Sequence, residues 1–163
     1  MVDRDADFEI SKLWRDRDVR GRPTTLARAM TEVERDVVER RRNELHLGCA
    51  PFALGETDSA IKAISRMLGG IRSLRNDDIE SAVAGIDGLR RLLEEFPLWA
   101  IEAGCAAISK GEAMVDGRQM DRRWAPNDSE VYGVIKEIVA PYRKALDNVT
   151  ALLSAPVRDA RSA

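Results

Sequence analysis

Residues 94–130, EEFPLWAIEAGCAAISKGEAMVDGRQMDRRWAPNDSE, carry the clearest signals for the fold of this protein. It contains two helix starts, and a proline marks each of them. Pro97 is expected in the first turn of a helix, where its missing N–H group costs nothing. Pro126 precedes Asn127, which can cap a second helix together with Glu130 at the third helical position. The segments on both sides of these starts are therefore predicted to be helical.

The segment after Pro97 has the pattern of a helix with one apolar face. Its apolar residues recur at spacings of three and four, which is helical periodicity, and they are Leu98, Ile101, Cys105 and Ile108. Cys105 on this face is predicted to be a small core residue. Gly111 is expected to end the helix, and a polar loop over residues 112–123 should follow.

The last predicted helix carries an apolar row with the spacing of a heptad repeat. Its members are Val131, Ile135, Ile138, Tyr142, Val149 and Leu152, with the small Ala145 inside the row. The row either packs on the domain's own core or forms the seam of an oligomer. Pro141 removes one backbone hydrogen bond within it, so we expect a long helix kinked near that residue.

Upstream, the periodicity predicts a short N-terminal helix and then a longer one. The short amphipathic helix covers residues 5–17, and the Gly-Arg-Pro sequence after it breaks the chain. Thr24 or Thr25 is expected to cap the longer helix, which should run to about Leu45. Its predicted apolar stripe consists of Leu26, Met30, Val33 and Val37.

Two more helices are predicted before the opening stretch. Thr57 is expected to cap a helix over residues 58–68, with Ala60, Ile61, Ile64, Met67 and Leu68 buried. Gly69 and Gly70 should end it in the left-handed conformation. A further helix over residues 78–95 has the apolar stripe Ile79, Val83, Ile86, Leu89, Leu93 and Phe96.

These segments predict an all-α protein, a single compact domain of five to six helices. Residues 1–22 form a charged N-terminal segment, residues 23–155 the helical domain and residues 156–163 a flexible tail. No apolar run approaches the ~18–20 residues that a membrane helix needs. The charged first residues and two isolated cysteines favour the reducing cytoplasm.

The chemistry-bearing residues favour a protein without enzymatic activity and without a cofactor. The one histidine, His46, and the nearby Cys49 would need further converging ligands to hold zinc, so no metal site is predicted. No glycine-rich phosphate loop of the GxxxxGK[ST] type occurs in the sequence. The carboxylates lie on charged helix faces balanced by arginine.

Two arginine clusters are candidate interaction sites. Arg118, Arg122, Arg123 and Trp124 lie together before the last helix, and Trp and Arg are enriched at protein interfaces. Arg40, Arg41 and Arg42 form either a phosphate-contacting patch or a solvated helix face balanced by neighbouring acids. The net charge of −2 does not favour a nucleic-acid partner.

The order of motifs resembles that of small helical phage and prophage proteins, some of which are replicative-helicase loaders or replisome organisers. The resemblance covers about residues 60–155 and depends on an FPLWA helix start, a basic loop and an RWAPNDSE helix start. The matching positions, which we interpret as structural signatures, are Pro97, Trp99, Arg123, Trp124, Pro126 and Glu130. The resemblance implies an adaptor that binds a replicative helicase and has no ATPase activity of its own.

Three hypotheses about function follow. The first is a phage-type replication adaptor that acts through protein contacts. The second is a DNA-binding regulator that uses its arginine clusters on phosphates. The third is a structural helical oligomer held by the heptad row of the last helix.

Overall fold

The computed structural model of the protein describes residues 13–17, 23–26, 28–70, 79–115, 117–120 and 126–157. These residues are mostly helical, which confirms the predicted all-α class. Their five α-helices are α1 (Glu32–Cys49), α2 (Thr57–Gly69), α3 (Ile79–Leu92), α4 (Leu98–Lys110) and α5 (Asp128–Ser154). A 3-10 turn, Leu54–Glu56, directly precedes α2. No helix in the described ranges has the length and apolar character needed to cross a membrane.

The chain divides into two compact units, each with its own core. The terminal unit consists of Met1–Gly48 together with Tyr142–Ala163, and the central unit is Cys49–Pro141. Helix α5 contributes to both units, and the boundary falls directly after Pro141, an exposed residue inside this helix. The helix is continuous through Pro141, so the proline does not break it.

The terminal unit contains a two-stranded antiparallel sheet that the sequence patterns did not predict. Strand β1 (Trp14–Arg17) pairs with β2 (Pro23–Leu26), and the amide of Leu26 donates to the carbonyl of Pro156 at 3.0 Å. The helix predicted over residues 5–17 is therefore wrong at residues 14–17, while residues 5–12 lie outside the described ranges. Two β-branched threonines in β2 favour extended backbone, and this pairing overrides the weak helical pattern.

Helix α1 begins later than predicted, because Thr31 caps it rather than Thr24 or Thr25. The amide of Glu34 donates to Oγ1 of Thr31 at 3.2 Å, and the amide of Thr31 donates to Oε2 of Glu34 at 2.9 Å. This reciprocal pair is a capping box. Arg28 holds the same carboxylate in a fork, with nitrogen–oxygen distances of 2.6 and 2.8 Å.

The buried face of α1 also differs from the prediction. Val33 and Val37 are 72% and 42% exposed, whereas Val38, Arg41 and Leu45 are buried. The helix extends to Cys49, beyond its predicted end at about Leu45. The core of the terminal unit consists of Leu13, Leu26, Val38, Leu45, Val149 and Leu152.

The central unit has the larger core, which α2, α3, α4 and the first half of α5 build together. Its fully buried members include Ala60, Ile64, Met67, Leu93, Phe96, Ile101, Ile135 and Val139. Most of the predicted stripe residues of α2 and α4 are buried, whereas Ile61, Leu68 and Leu98 are half-buried. Val83 is 60% exposed, however, and α3 ends at Leu92, so its stripe is shorter than predicted.

Glycines end α2 and α4 in different ways. Gly111 follows α4 with φ 73°, in the left-handed region that glycine adopts without steric cost. Gly70, after α2, has φ −78° and stays right-handed, so the left-handed end predicted there is wrong. Its amide is satisfied by the last turn of the helix, since it donates to the carbonyls of Arg66 and Met67.

Part of the predicted polar loop, residues 112–123, is a small hairpin. Strand β3 (Met114–Val115) pairs antiparallel with β4 (Arg118–Gln119). Gly117 has φ 74°, which is the left-handed conformation that such a tight connection requires. Ala113 is buried beside the hairpin and anchors it to the core of the central unit.

The predicted start of α5 is confirmed. The amide of Glu130 donates to Oδ1 of Asn127 at 2.9 Å, and the amide of Asn127 donates to Oε2 of Glu130 at 2.9 Å. The pair satisfies two backbone donors reciprocally, as a capping box does. Asn127 therefore replaces the usual serine or threonine of this motif.

Candidate functional site

The predicted cluster before α5 lies mostly outside the described residues. Arg118 is exposed on β4. Arg122, Arg123 and Trp124 fall within residues 121–125, which the structure does not describe. Their role in partner binding stays a prediction.

The three consecutive arginines of α1 do not form one surface. Arg41 is only 7% exposed, and its guanidinium contacts the carboxylate of Glu44 at 3.3 Å. Arg42 is half-buried and donates to the side-chain oxygen of Asn43, while Arg40 is exposed. Successive residues of a helix are about 100° apart, so one side of α1 cannot present all three. The prediction of a phosphate patch that includes Arg41 is therefore corrected, because that side chain is buried.

The predicted oligomer seam of α5 is used within the chain itself. Val131, Ile135 and Ile138 pack into the core of the central unit. The remaining members, Tyr142, Val149 and Leu152, with Ala145, pack into the core of the terminal unit. Val131, Ile135, Val149 and Leu152 are buried in these two cores, whereas Ile138 and Tyr142 are half-buried.

A groove lies between α2 and α4 in the described part of the chain. The two helices pack side by side within the central unit, and the groove between them has a volume of about 490 Å³. Ala63 on α2 and Ala106 on α4 line it. Because these side chains end at Cβ, they leave space between the longer side chains around them.

The floor of the groove is apolar, and its rim is charged. Met67 and Cys105 lie at the floor, and both are buried. Lys62, Arg66 and Lys110 are exposed lining residues and carry positive charge. The remaining polar lining residues are Glu102, Ser59 and Ser109.

The positive charge of the rim is not neutralised by the described part of the chain. Lys62, Arg66 and Lys110 make no ion pair there, and Glu102 makes none either. Three cations and one carboxylate leave a local excess of positive charge on a protein whose net charge is −2. Lys110 lies in the last turn of α4, where the helix dipole favours a cation.

Cys105 does not give the groove a reactive thiolate. Burial, with a smaller effect of the Glu102 carboxylate, raises the pKa of the Cys105 thiol to about 12. A thiol must ionise to act as a nucleophile or metal ligand, so Cys105 stays protonated at neutral pH. The hydroxyl of Ser109 donates to the backbone carbonyl of Cys105 at 2.8 Å, so the donor of this hydroxyl is used within α4.

The charges of the rim have the sign that attracts an anionic group. In the part of the chain that the structure describes, no three metal-ligating side chains come together. An apolar floor with a basic rim suits a chain segment that carries both carboxylates and an apolar side chain. The open shape and small side chains fit a peptide segment better than an enclosed small molecule.

The sequence patterns predicted Met67 and Cys105 as core residues but did not single out the charged residues of this groove. Lys62 and Arg66 are four residues apart on one face of α2, which is the available signal, but such a pair is usual on any solvated helix. Their combination with Lys110 depends on the packing of α4 against α2, which are separated by α3 in sequence. No local pattern encodes that packing.

Comparison of the chain with protein family models, with characterised proteins and with solved structures finds no match.

Proposed function

We propose that the protein is a non-enzymatic helical adaptor, and that the groove between α2 and α4 binds an acidic segment of a partner protein. The observation that supports this proposal is the set of three cations, Lys62, Arg66 and Lys110, around an apolar floor. Each is exposed and without an ion pair in the described part of the chain. A partner's carboxylates would supply the missing negative charge.

The apolar floor supports a protein partner over a nucleic acid. A phosphate backbone is read by an extended basic surface, and contacts to it do not need a hydrophobic floor. The groove offers Met67 and Cys105 beneath its cations, and it includes the carboxylate of Glu102, which repels phosphate. An acidic helix or strand with one apolar anchor makes use of all these features.

The sequence resemblance gives the proposal a more specific form. In that form the protein is a phage-type accessory factor of DNA replication, and the partner is a replicative helicase. The support for this form is the order of the FPLWA and RWAPNDSE motifs in the sequence. Helix α4 begins within the first motif, and α5 begins at Asp128 within the described part of the second. Arg122, Arg123 and Trp124 then remain a second candidate contact.

The groove can be tested directly with a synthetic acidic peptide. A fluorescein-labelled helical peptide that alternates pairs of Glu with Leu is titrated with the protein, and anisotropy gives the Kd. We expect the triple variant Lys62→Glu, Arg66→Glu, Lys110→Glu to weaken binding by about tenfold or more, since each exposed ion pair contributes about 0.2–1 kcal/mol. Binding should also weaken as salt concentration rises.

A matched control has the same charge change on other surfaces. Arg35, Lys136 and Lys144 are exposed, and changing all three to Glu should leave the peptide Kd unchanged. Equal losses in both triple variants would show a general charge effect and contradict the groove proposal. Tight binding of a short DNA duplex in place of the peptide would support the DNA-binding hypothesis instead.

The helicase form has its own test. Purified replicative helicase is captured by the intact protein, by the groove variant and by the variant Arg122→Glu, Arg123→Glu. Loss of capture in the groove variant alone is expected. Capture that both variants retain would remove both surfaces from helicase binding, and no capture by the intact protein would contradict the helicase form while leaving the peptide result unaffected.

A further inference from the structure

Helix α1 carries a second row of residues in addition to the row that it buries. The row consists of Val33, Val37, Arg40, Glu44 and Leu47, which advance by four and three residues in turn. Its apolar members are exposed, Val33 by 72%, Val37 by 42% and Leu47 by 75%. These residues therefore form an apolar stripe with two opposite charges at its centre.

This stripe is separate from the core face of α1. The core face is marked by Val38, Arg41 and Leu45. At about 100° per residue, the centres of the two faces lie about 110° apart around the helix axis. The helix can thus pack into the terminal unit and still present the stripe to solvent.

We propose that this stripe binds the same stripe of a second copy of the chain, with the two α1 helices antiparallel. The spacing of four and three residues is that of helices that pack along a shared seam. A two-fold axis makes such an interface self-complementary, so each contact occurs twice. The charges at the centre of the stripe then determine which alignment forms.

The charges select one alignment. One antiparallel alignment has its two-fold axis at the level of residue 42 along the helix. Arg40 then lies opposite Glu44 of the second copy, and Val37 lies opposite Leu47 of the second copy. A parallel alignment instead places Arg40 opposite Arg40 and Glu44 opposite Glu44, and like charges disfavour it. An antiparallel alignment centred on Arg40 also places two arginines opposite each other. The first alignment is the one in which both the charges and the apolar residues are complementary.

The two central charges are available for such contacts. Arg40 is exposed and makes no ion pair in the described residues. Glu44 accepts a hydrogen bond from Arg41, but its side chain is still 57% exposed. A second cation can therefore reach the carboxylate of Glu44.

The size of the stripe indicates a weak dimer. Helix α1 has 18 residues and so is about 27 Å long, and one face of it is smaller than the ~800 Å² that each partner of a stable complex buries. We therefore expect a monomer–dimer equilibrium that depends on concentration. This inference does not depend on the groove, which lies in the other unit.

Sedimentation velocity over about 10 µM to 1 mM tests the proposal, with the Kd as the measured quantity. Dimerisation by the native chain is expected, and Val37→Glu with Leu47→Glu should abolish it. The single variants Arg40→Glu and Glu44→Arg should each be monomeric, because each places like charges opposite each other. An equimolar mixture of these two variants should dimerise again, since every central pair in the mixed dimer has opposite charges.

Leu54→Glu, which changes a 95% exposed leucine of the central unit, is the control and should dimerise like the native chain. Circular dichroism of each variant verifies that the fold is retained, because Glu44→Arg also removes the contact with Arg41. A native chain that stays monomeric to the highest concentration overturns the proposal. A dimer that survives both charge variants, or a mixture that stays monomeric, overturns the antiparallel alignment and with it the proposal.

Discussion

At Gly104, helix α4 approaches α5 so closely that a Cβ atom would lie 2.5 Å from Cγ1 of Ile135. Real side chains do not approach to that distance, so any larger residue must displace Ile135, which is fully buried. The apolar period of α4 predicted its buried face. It did not predict this contact, because the residue opposite a glycine depends on tertiary packing.

We expect Gly104→Ala to lower the free energy of unfolding by about 1–3 kcal/mol, because it overpacks the core of the central unit. The control is Gly88→Ala in α3, where a new Cβ meets no atom within 4 Å. That change should raise stability by about 0.5–1 kcal/mol, because alanine favours a helix more than glycine does. Urea unfolding of both variants measures the difference. Equal effects of the two changes would contradict the close approach at Gly104.

Glu34 gives the start of α1 a dependence on pH. Its hydrogen bonds from Arg28, and then from the amide of Thr31, lower the pKa of the Glu34 carboxyl from 4.5 to about 2. A carboxyl whose folded pKa is lowered stabilises the folded state above its unfolded pKa, and this contribution is lost as pH falls towards the folded pKa. We therefore expect the N-terminal turn of α1 to lose protection between about pH 4.5 and pH 2.

NMR titration of the Glu34 carboxyl carbon, with amide exchange at the first turn, measures this effect. Glu34→Gln should remove the pH dependence, whereas Glu32→Gln, one position into the helix, should retain it. A Glu34 carboxyl that titrates near 4.5 would show that the fork with Arg28 does not persist in solution.

At the scale of elements, the sequence predicted most helices but neither pair of strands. The Asn127 and Glu130 box has a short-range signal and was predicted at its observed position. Pro97 was expected in the first turn of α4 but is the N-cap residue just before the helix, with an extended ψ of 147°. The pairing of β1 with β2 depends instead on contacts between separate segments, and a four-residue strand has no strong period. The start of α1 was misplaced because Thr24, Thr25 and Thr31 can all act as an N-cap residue. Thr31 is the cap in the structure because Glu34, three residues later, completes a capping box with it.

The turn that follows α3 contacts α5 through a hydrogen bond and an aromatic pair. The hydroxyl of Tyr132 donates to Oε1 of Glu95 at 2.6 Å, and its ring packs edge-on against Phe96 with centroids 5.1 Å apart. Tyr132→Phe should cost about 0.5–1.5 kcal/mol, because it removes the hydrogen bond and retains the ring contact. Tyr132→Leu should cost more, because the aromatic pair is lost as well.

A double-mutant cycle with Glu95→Gln measures the coupling by thermal unfolding. If Tyr132 and Glu95 stabilise the fold through their shared hydrogen bond, Glu95→Gln should lower the free energy of unfolding only slightly once Tyr132→Phe has been made. Costs that add fully would show that the two side chains stabilise the fold independently.

At the scale of the whole molecule, the sequence patterns predicted one domain and did not predict its division into two cores. The heptad row of α5 is regular across Pro141, yet its two halves belong to different cores. The groove is a similar case, since Lys62, Arg66 and Lys110 come together only when α2 and α4 pack. Periodicity identifies a buried face but does not identify what covers it.

Separate cores should open separately. Leu152→Ala should cost about 2–5 kcal/mol and should mainly lower the hydrogen-exchange protection of α1, which shares its core. Leu93→Ala, in the central core, should mainly lower the protection of α2 and α4. Hydrogen exchange followed by mass spectrometry measures both patterns. An identical loss of protection across the chain in both variants would show that the two units unfold as one.

The way the chain divides also has a consequence for the order of folding during synthesis. The central unit is one uninterrupted segment, Cys49–Pro141, so the ribosome has delivered all of it before Tyr142 is added. The terminal unit needs Val149 and Leu152 to complete its core, although Val38 and Leu45 are made about a hundred residues earlier. The core to which these two residues belong therefore stays incomplete on the nascent chain while the central unit is being synthesised. During that interval the apolar side of α1 lacks the cover that Val149 and Leu152 give it in the finished molecule.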